Sequence, residues 1–181
     1  MAVQRKGMTA KAFFRLPNDD TFQGLIRGEV HTSPPPGGPH GRTSSEIHTV
    51  LAPFVKAQEL GAVFIETGYR VERNPDTVLA PDLSFVRAER LPALSEGGYS
   101  DLVPDLVVEV ISPGESRPDV ERRMREWLLL GARLGWAADP RRRWVAVYRP
   151  GAKTQLLGPE DVLDGGEVLP RFQCPIREFF P

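Results

Sequence analysis

The chain has 181 residues, 40% of them apolar and 26% charged, a length and composition suited to one globular domain over 1–181 with a sizeable core. Its formal charge of −1 excludes bulk attraction to nucleic acid as an argument, although a local basic groove fits inside a balanced total. A single cysteine, Cys174, excludes an internal disulfide and a thiolate metal site, and no stretch has the length of a membrane span, so a soluble cytoplasmic protein is expected.

In chain order, residues 1–20 carry positive charge without a continuous apolar run. "FQGLIRGEVHTS" (22–33) alternates enough to predict a strand, and the Pro- and Gly-rich stretch 33–42 predicts a loop. A helix is expected over 43–61, with Thr43 or Ser44 as its cap and Ile47, Val50, Leu51, Phe54 and Gln58 on one face. Pro53 should kink it and Gly61 should end it. Two β-type runs around "NPDT" predict a hairpin over 62–73 and 77–87, followed by a loop over 88–104.

A strand over 105–112 and a helix from near Ser116 to about Gly131 come next, Pro118 suiting the first turn and Asp119 favouring the helix dipole. Residues 133–139 and 143–149 read as a second hairpin around the turn sequence "DPRRR", with Trp136 and Trp144 packing inside it and the arginines at 141–143 solvated. The remainder reads as short strands and turns. Together these elements predict an α/β (α+β) fold with a mixed sheet flanked by helices.

One charge interrupts this pattern. In "LVPDLVVEVISP" (102–113) Glu109 shares a strand face with Val107 and Ile111, while Leu106, Val108 and Val110 share the other, so the strand reads as central and Glu109 as buried. A buried carboxylate finds a cation, a metal or a proton. Asp82 sits on the earlier strand "LAPDLSFVRA", facing the way of Ser84 and Val86; if the two strands are neighbours, two carboxylates converge, as at a divalent-cation site. At about 100° per residue, Val120, Met124, Trp127 and Leu130 define the apolar arc of the following helix, and Arg123 falls inside it. An inward arginine there needs an anion, and Glu109 is the candidate. Two readings stay open at this point: a structural Asp82–Arg123–Glu109 ion network without chemistry, or a metal site. Glu29 reads alone as a solvated strand end, and His40 as an ordinary loop histidine. The serines sit in no nucleophile elbow, and the glycines near residue 37 form no phosphate-binding P-loop.

These residues, in this order, resemble the Uma-type family of restriction endonucleases within the PD-(D/E)XK nuclease superfamily. The resemblance runs from "GLIRGEVHTSPPPGGPHGR" through "VLAPDLSFVRAERLP" and "PDLVVEVISPGESRPDVERRMREWLLLGARLGWAADPRRRWVAVYRPG" to "DVLDGGEVLPRFQCPIREFF". It implies a restriction-endonuclease-like fold, DNA as partner and Mg²⁺ (or Mn²⁺) as cofactor. Asp82 matches the PD aspartate, Glu109 the second acid, Glu29 the acid ahead of the loop and His40 the loop histidine. The main-chain carbonyl of Val110 would join Asp82 and Glu109 on the metal. The chain departs from the pattern at the lysine. Ile111 stands where the motif's basic residue would be, and the family's helix lysine is matched by Arg123, with Trp127 in place of a nearby aromatic that is often tyrosine. The expected activity is DNA phosphodiester hydrolysis by an endonuclease, and a homodimer fits because two nicks need two active sites. The alternative is an inactive nucleic-acid-binding or interaction domain on the same fold, because arginine stays protonated and cannot serve as a base. Arg87, Arg90 and 141–143 could touch a DNA backbone if they flank the acids.

Overall fold

A computed structural model describes residues 7–17, 22–33 and 35–180. Residues 1–6 and 18–20 of the leading segment and Pro34 of the proline-rich stretch lie outside the described residues. The first half of the chain runs α1 (Ala10–Phe14), β1 (Phe22–Ile26), β2 (Glu29–Ser33), α2 (Gly38–Ala57), β3 (Gly61–Ile65), β4 (Tyr69–Glu72), β5 (Thr77–Leu79) and β6 (Leu83–Arg87). After a 3-10 helix at Ala88–Ala93 come β7 (Leu106–Val110), α3 (Arg117–Leu130), β8 (Leu134–Asp139), β9 (Trp144–Tyr148), β10 (Gln155–Leu157), β11 (Val162–Asp164) and β12 (Gln173–Pro175).

The main sheet has six strands in the order β10-β9-β8-β7-β6-β3, and it is mixed because β7 and β8 pair in parallel while its other pairs are antiparallel. The β7–α3–β8 crossover produces the parallel pair, as two parallel neighbours require a long connection. Strand alternation then sorts the core into two layers. Leu106, Val108 and Val110 pack with Ile47, Leu51 and Val55 of α2, whereas Val107 packs with Val120, Met124 and Trp127 of α3. Glu109 therefore points to the α3 side.

Trp136 anchors the α2 layer. It is 1% exposed and stacks on Phe172 with ring centroids 5.6 Å apart. Trp136→Ala is expected to lower unfolding free energy by about 3–5 kcal/mol, from lost burial plus the cavity left behind. Urea unfolding checks this as a lower midpoint at unchanged m.

Three sequence expectations are corrected here. Residues 22–33 form a hairpin rather than one strand: β1 and β2 pair from Phe22↔Ser33 to Ile26↔Glu29, and Arg27 and Gly28 both take positive φ (48° and 76°), the geometry of a tight hairpin turn. The stretch 62–87 is a hairpin within a hairpin. β3 pairs β6 in the main sheet, while β4 and β5 between them join β1 and β2 in a four-stranded sheet ordered β2-β1-β5-β4. Helix α2 starts at Gly38 and ends at Ala57, capped by Gln58, so it takes in Pro39 and His40 and runs through Pro53. Proline lacks the N–H that a first helical turn leaves unpaired anyway, so Pro39 begins this helix instead of preventing it. Thr43 and Ser44 consequently lie inside the helix, and Gly61 opens β3.

Candidate active site

Register brings the two acids together. β6 and β7 pair antiparallel with Leu83 opposite Val108, so one step further out Asp82 stands opposite Glu109. The β6 ladder stops at Leu83, and Val110 N–H donates to Asp82 Oδ2 at 2.6 Å, the carboxylate standing in for the missing strand partner. Asp82 is thus fixed at the end of the central strand by the backbone it faces.

Glu109 is 8% exposed. Its Oε1 accepts from the Trp127 indole at 3.1 Å, and its Oε2 lies 3.4 Å from Arg123 Nε. Burial pushes the Glu109 carboxyl up to about 7; Arg123 pulls the other way, while the charge of Asp82 adds to the rise. Near neutral pH this group exchanges a proton readily or welcomes a cation.

Helix α3 supplies Arg123 because Ser116 accepts from Asp119 N–H at its N-cap and Pro118 fits its first turn, as the sequence predicts. Val120, Met124 and Trp127 are buried on one face, with Arg123 half-buried beside them. Arg123 Nη1 donates to Glu115 Oε1 at 2.6 Å, and the other Glu115 oxygen accepts from Ser112 N–H at 2.8 Å. Sequence reasoning missed Glu115. Its signal was the turn Ser112-Pro113-Gly114-Glu115, where proline and glycine in the middle positions fold the fourth residue back over the strand end.

His40 is only 7% exposed and belongs to the first turn of α2 rather than to a loop. Its Nε2 lies 3.2 Å from Asp82 Oδ2. Burial opposes a charge on the ring, but the hydrogen bond to Asp82 and the charges of Asp82, Glu115 and Glu109 prevail, so its pKa stands above the ordinary value. Asp82, Glu109, Arg123, Glu115 and His40 all line one open cleft of about 710 Å³.

Other candidates lie elsewhere. Glu29 starts β2 opposite Ile26, and Ile26 lines the cleft where Glu29 does not. Arg87 and Arg90 gather around Asp105, which is 1% exposed and stands before β7, at the opposite end of that strand from Glu109. They therefore do not flank the acids. Asp105 also follows a proline, and its carboxylate is taken up by Arg87 N–H at 3.0 Å and Arg90 Nη1 at 2.8 Å, which leaves it a structural aspartate. Arg141, Arg142 and Arg143 are exposed in the β8–β9 turn; Arg142 pairs with Asp139 at 2.8 Å and Arg143 donates to the Phe180 carbonyl.

Among the described residues, no group of three or more His, Cys, Asp and Glu side chains is arranged to hold a metal ion. The donor set does fit a hard divalent cation of the Mg²⁺ type, which keeps several waters and needs only one or two carboxylates. Asp82 and Glu109 face each other at the cleft, and burial, with the charge of Asp82 adding to it, raises the Glu109 carboxyl above the ordinary carboxylate range.

Comparison with known proteins gives a family and a fold. A sequence-family profile, Uma2, described as "Putative restriction endonuclease", matches residues 10–177. The fold is similar to the crystal structure of a protein from Anabaena variabilis titled a "putative nuclease belonging to DUF820", with a TM-score of 0.80 and 28% identity over 96% of this chain and 97% of that one. No curated protein matches. Among the described residues, no helix is long and apolar enough to cross a membrane.

Proposed function

The chain belongs to the Uma2 family, whose description is "Putative restriction endonuclease", and from that premise we propose that it is a Mg²⁺- or Mn²⁺-dependent endonuclease hydrolysing DNA phosphodiester bonds. The observation that carries the reading is the facing pair Asp82 and Glu109 in an open cleft, with the Glu109 carboxyl raised to about 7. Asp82, Glu109 and the Val110 carbonyl would hold the cation. When bound, it lowers the pKa of water and neutralises charge on the scissile phosphate.

The chain's own residues do the rest. Val110 N–H fixes the Asp82 carboxylate, and the Trp127 indole orients Glu109, so neither acid has to be ordered when substrate arrives. Arg123 keeps its proton at any working pH, which gives it the role of holding a phosphate and stabilising its developing charge, not of taking a proton from water. His40 adds a second polar contact for substrate beside Asp82. A cytoplasmic homodimer would place two such clefts on one duplex, one for each strand.

The test is titration of Mg²⁺ and Mn²⁺ against the protein, with plasmid nicking in parallel, for wild type and Asp82→Ala. Metal binding and nicking that both vanish in the variant are the expected result. Wild type that binds DNA in a gel shift but takes up neither metal overturns the nuclease reading in favour of an inactive DNA-binding domain.

A further inference from the structure

An arginine beside a buried carboxylate frequently forms a two-pronged pair, with two parallel N–H···O bonds. Arg123 and Glu109 do not. Arg123 Nε approaches Glu109 Oε2 only to 3.4 Å and is a buried N–H without a hydrogen-bond acceptor. The guanidinium is instead drawn aside by Glu115, whose Oε1 accepts from Nη1 at 2.6 Å. Glu115 is itself held, because Ser112 N–H donates to its Oε2 at 2.8 Å and the Ser112–Glu115 turn is closed by Glu115 N–H to the Ser112 carbonyl at 3.0 Å. The backbone leaving β7 thus grips a carboxylate, and that carboxylate grips the arginine.

We propose that Glu115 is a positioning residue that holds Arg123 off Glu109 and so keeps the Glu109 carboxylate open to a divalent cation. The proposal rests on the reading of Glu109 as a metal ligand. Without Glu115 the guanidinium is free to turn until Nε and an Nη both donate to Glu109, which uses the lone pairs a cation needs and places a positive charge against the site. A lysine at 123 could not do this, since an ammonium is a point charge without a planar fork. The device is therefore one that an arginine in this place requires.

The experiment is a double-mutant cycle read as Mn²⁺ affinity by calorimetry: wild type, Glu115→Gln, Arg123→Lys and the double variant. Glu115→Gln is expected to weaken Mn²⁺ binding about tenfold or more, and to weaken it far less in the Arg123→Lys background. Equal losses in both backgrounds would mean that Glu115 acts as a ligand or as a general negative charge, and would overturn the proposal. So would a Glu115→Gln protein with wild-type affinity. Wild type that binds no Mn²⁺ overturns the metal reading itself and this inference with it. A metal-free readout separates the two: side-chain ¹⁵N spectra should show the Arg123 Nε–H moving downfield in Glu115→Gln as it gains Glu109 as acceptor, and an unmoved signal shows that the arginine was never being held back.

Discussion

Replacing Glu109 by glutamine is expected to abolish divalent-metal binding and nicking while leaving the protein more stable than wild type above pH 7 in EDTA. Glutamine keeps an acceptor for the Trp127 indole, and Arg123 keeps Glu115, so no partner is orphaned outright. What disappears is a buried negative charge. In the unfolded chain Glu109 titrates at its ordinary 4.5, whereas in the folded protein it titrates at about 7. The folded state therefore holds the extra proton between those values. The fold is penalty-free below the lower one and loses stability as pH rises through the higher. At about 1.4 kcal/mol per pH unit the full loss is on the order of 3 kcal/mol, from which the weakened Arg123 contact must be subtracted in the variant. Urea unfolding in EDTA at pH 5 and pH 8 checks the sign: the advantage of Glu109→Gln over wild type should grow between the two. An advantage that is the same at both would show that Glu109 is not the buried acid. With Mg²⁺ present the order reverses, because a ligand at a hundredfold its Kd stabilises wild type alone by about 2.7 kcal/mol. For a chain of this size that is a rise in Tm of roughly 5–10 °C.

Arg123→Ala is expected to act in the opposite sense on stability. It leaves Glu109 and Glu115 without their shared cation, and removing one partner from a buried pair typically costs about 3–5 kcal/mol. Below pH 7 Glu109 can take up a proton and absorb much of that loss, so the destabilisation should deepen as pH rises, and added Mg²⁺ should recover part of it. Metal affinity should increase, since a positive charge 3.4 Å from Glu109 is gone, yet nicking should fall because the phosphate has lost its guanidinium. Tighter metal binding joined to slower nicking separates a role toward substrate from a role in holding the cation. A variant with weaker metal binding would show that Arg123 orders the acids more than it competes with the ion.

Both predictions concern groups whose surroundings were only partly legible in the linear chain. The alternation of 105–112 identified a strand buried on both faces with one acid in it, and the 3.6-residue period of α3 turned Arg123 inward; each held because side-chain direction is set by local backbone geometry. The same locality explains the errors. Read residue by residue, Pro39 in a glycine-rich stretch looked like a helix breaker, but a proline in the first turn costs no hydrogen bond, so α2 reaches back to carry His40 into the cleft. The Arg27-Gly28 turn was hidden because its neighbours on both sides are strand-like, and only pairing shows where a strand reverses.

The sequence by itself carried the family resemblance, through a string of motifs running along nearly the whole chain, and through periodicity it carried the strand–helix–hairpin order around Glu109 and the inward turn of Arg123. Tertiary structure decided which residues meet. Asp82 faces Glu109 because β6 lies antiparallel to β7 in one register out of several, and a shift of one residue would turn the acid to the other face. Glu115 reaches Arg123 because a turn closes over the end of β7, while Asp105, likewise an aspartate after a proline, is locked away among arginines at the strand's other end. Contacts between residues far apart in the chain depend on register and packing, which the whole fold sets together and no short stretch encodes.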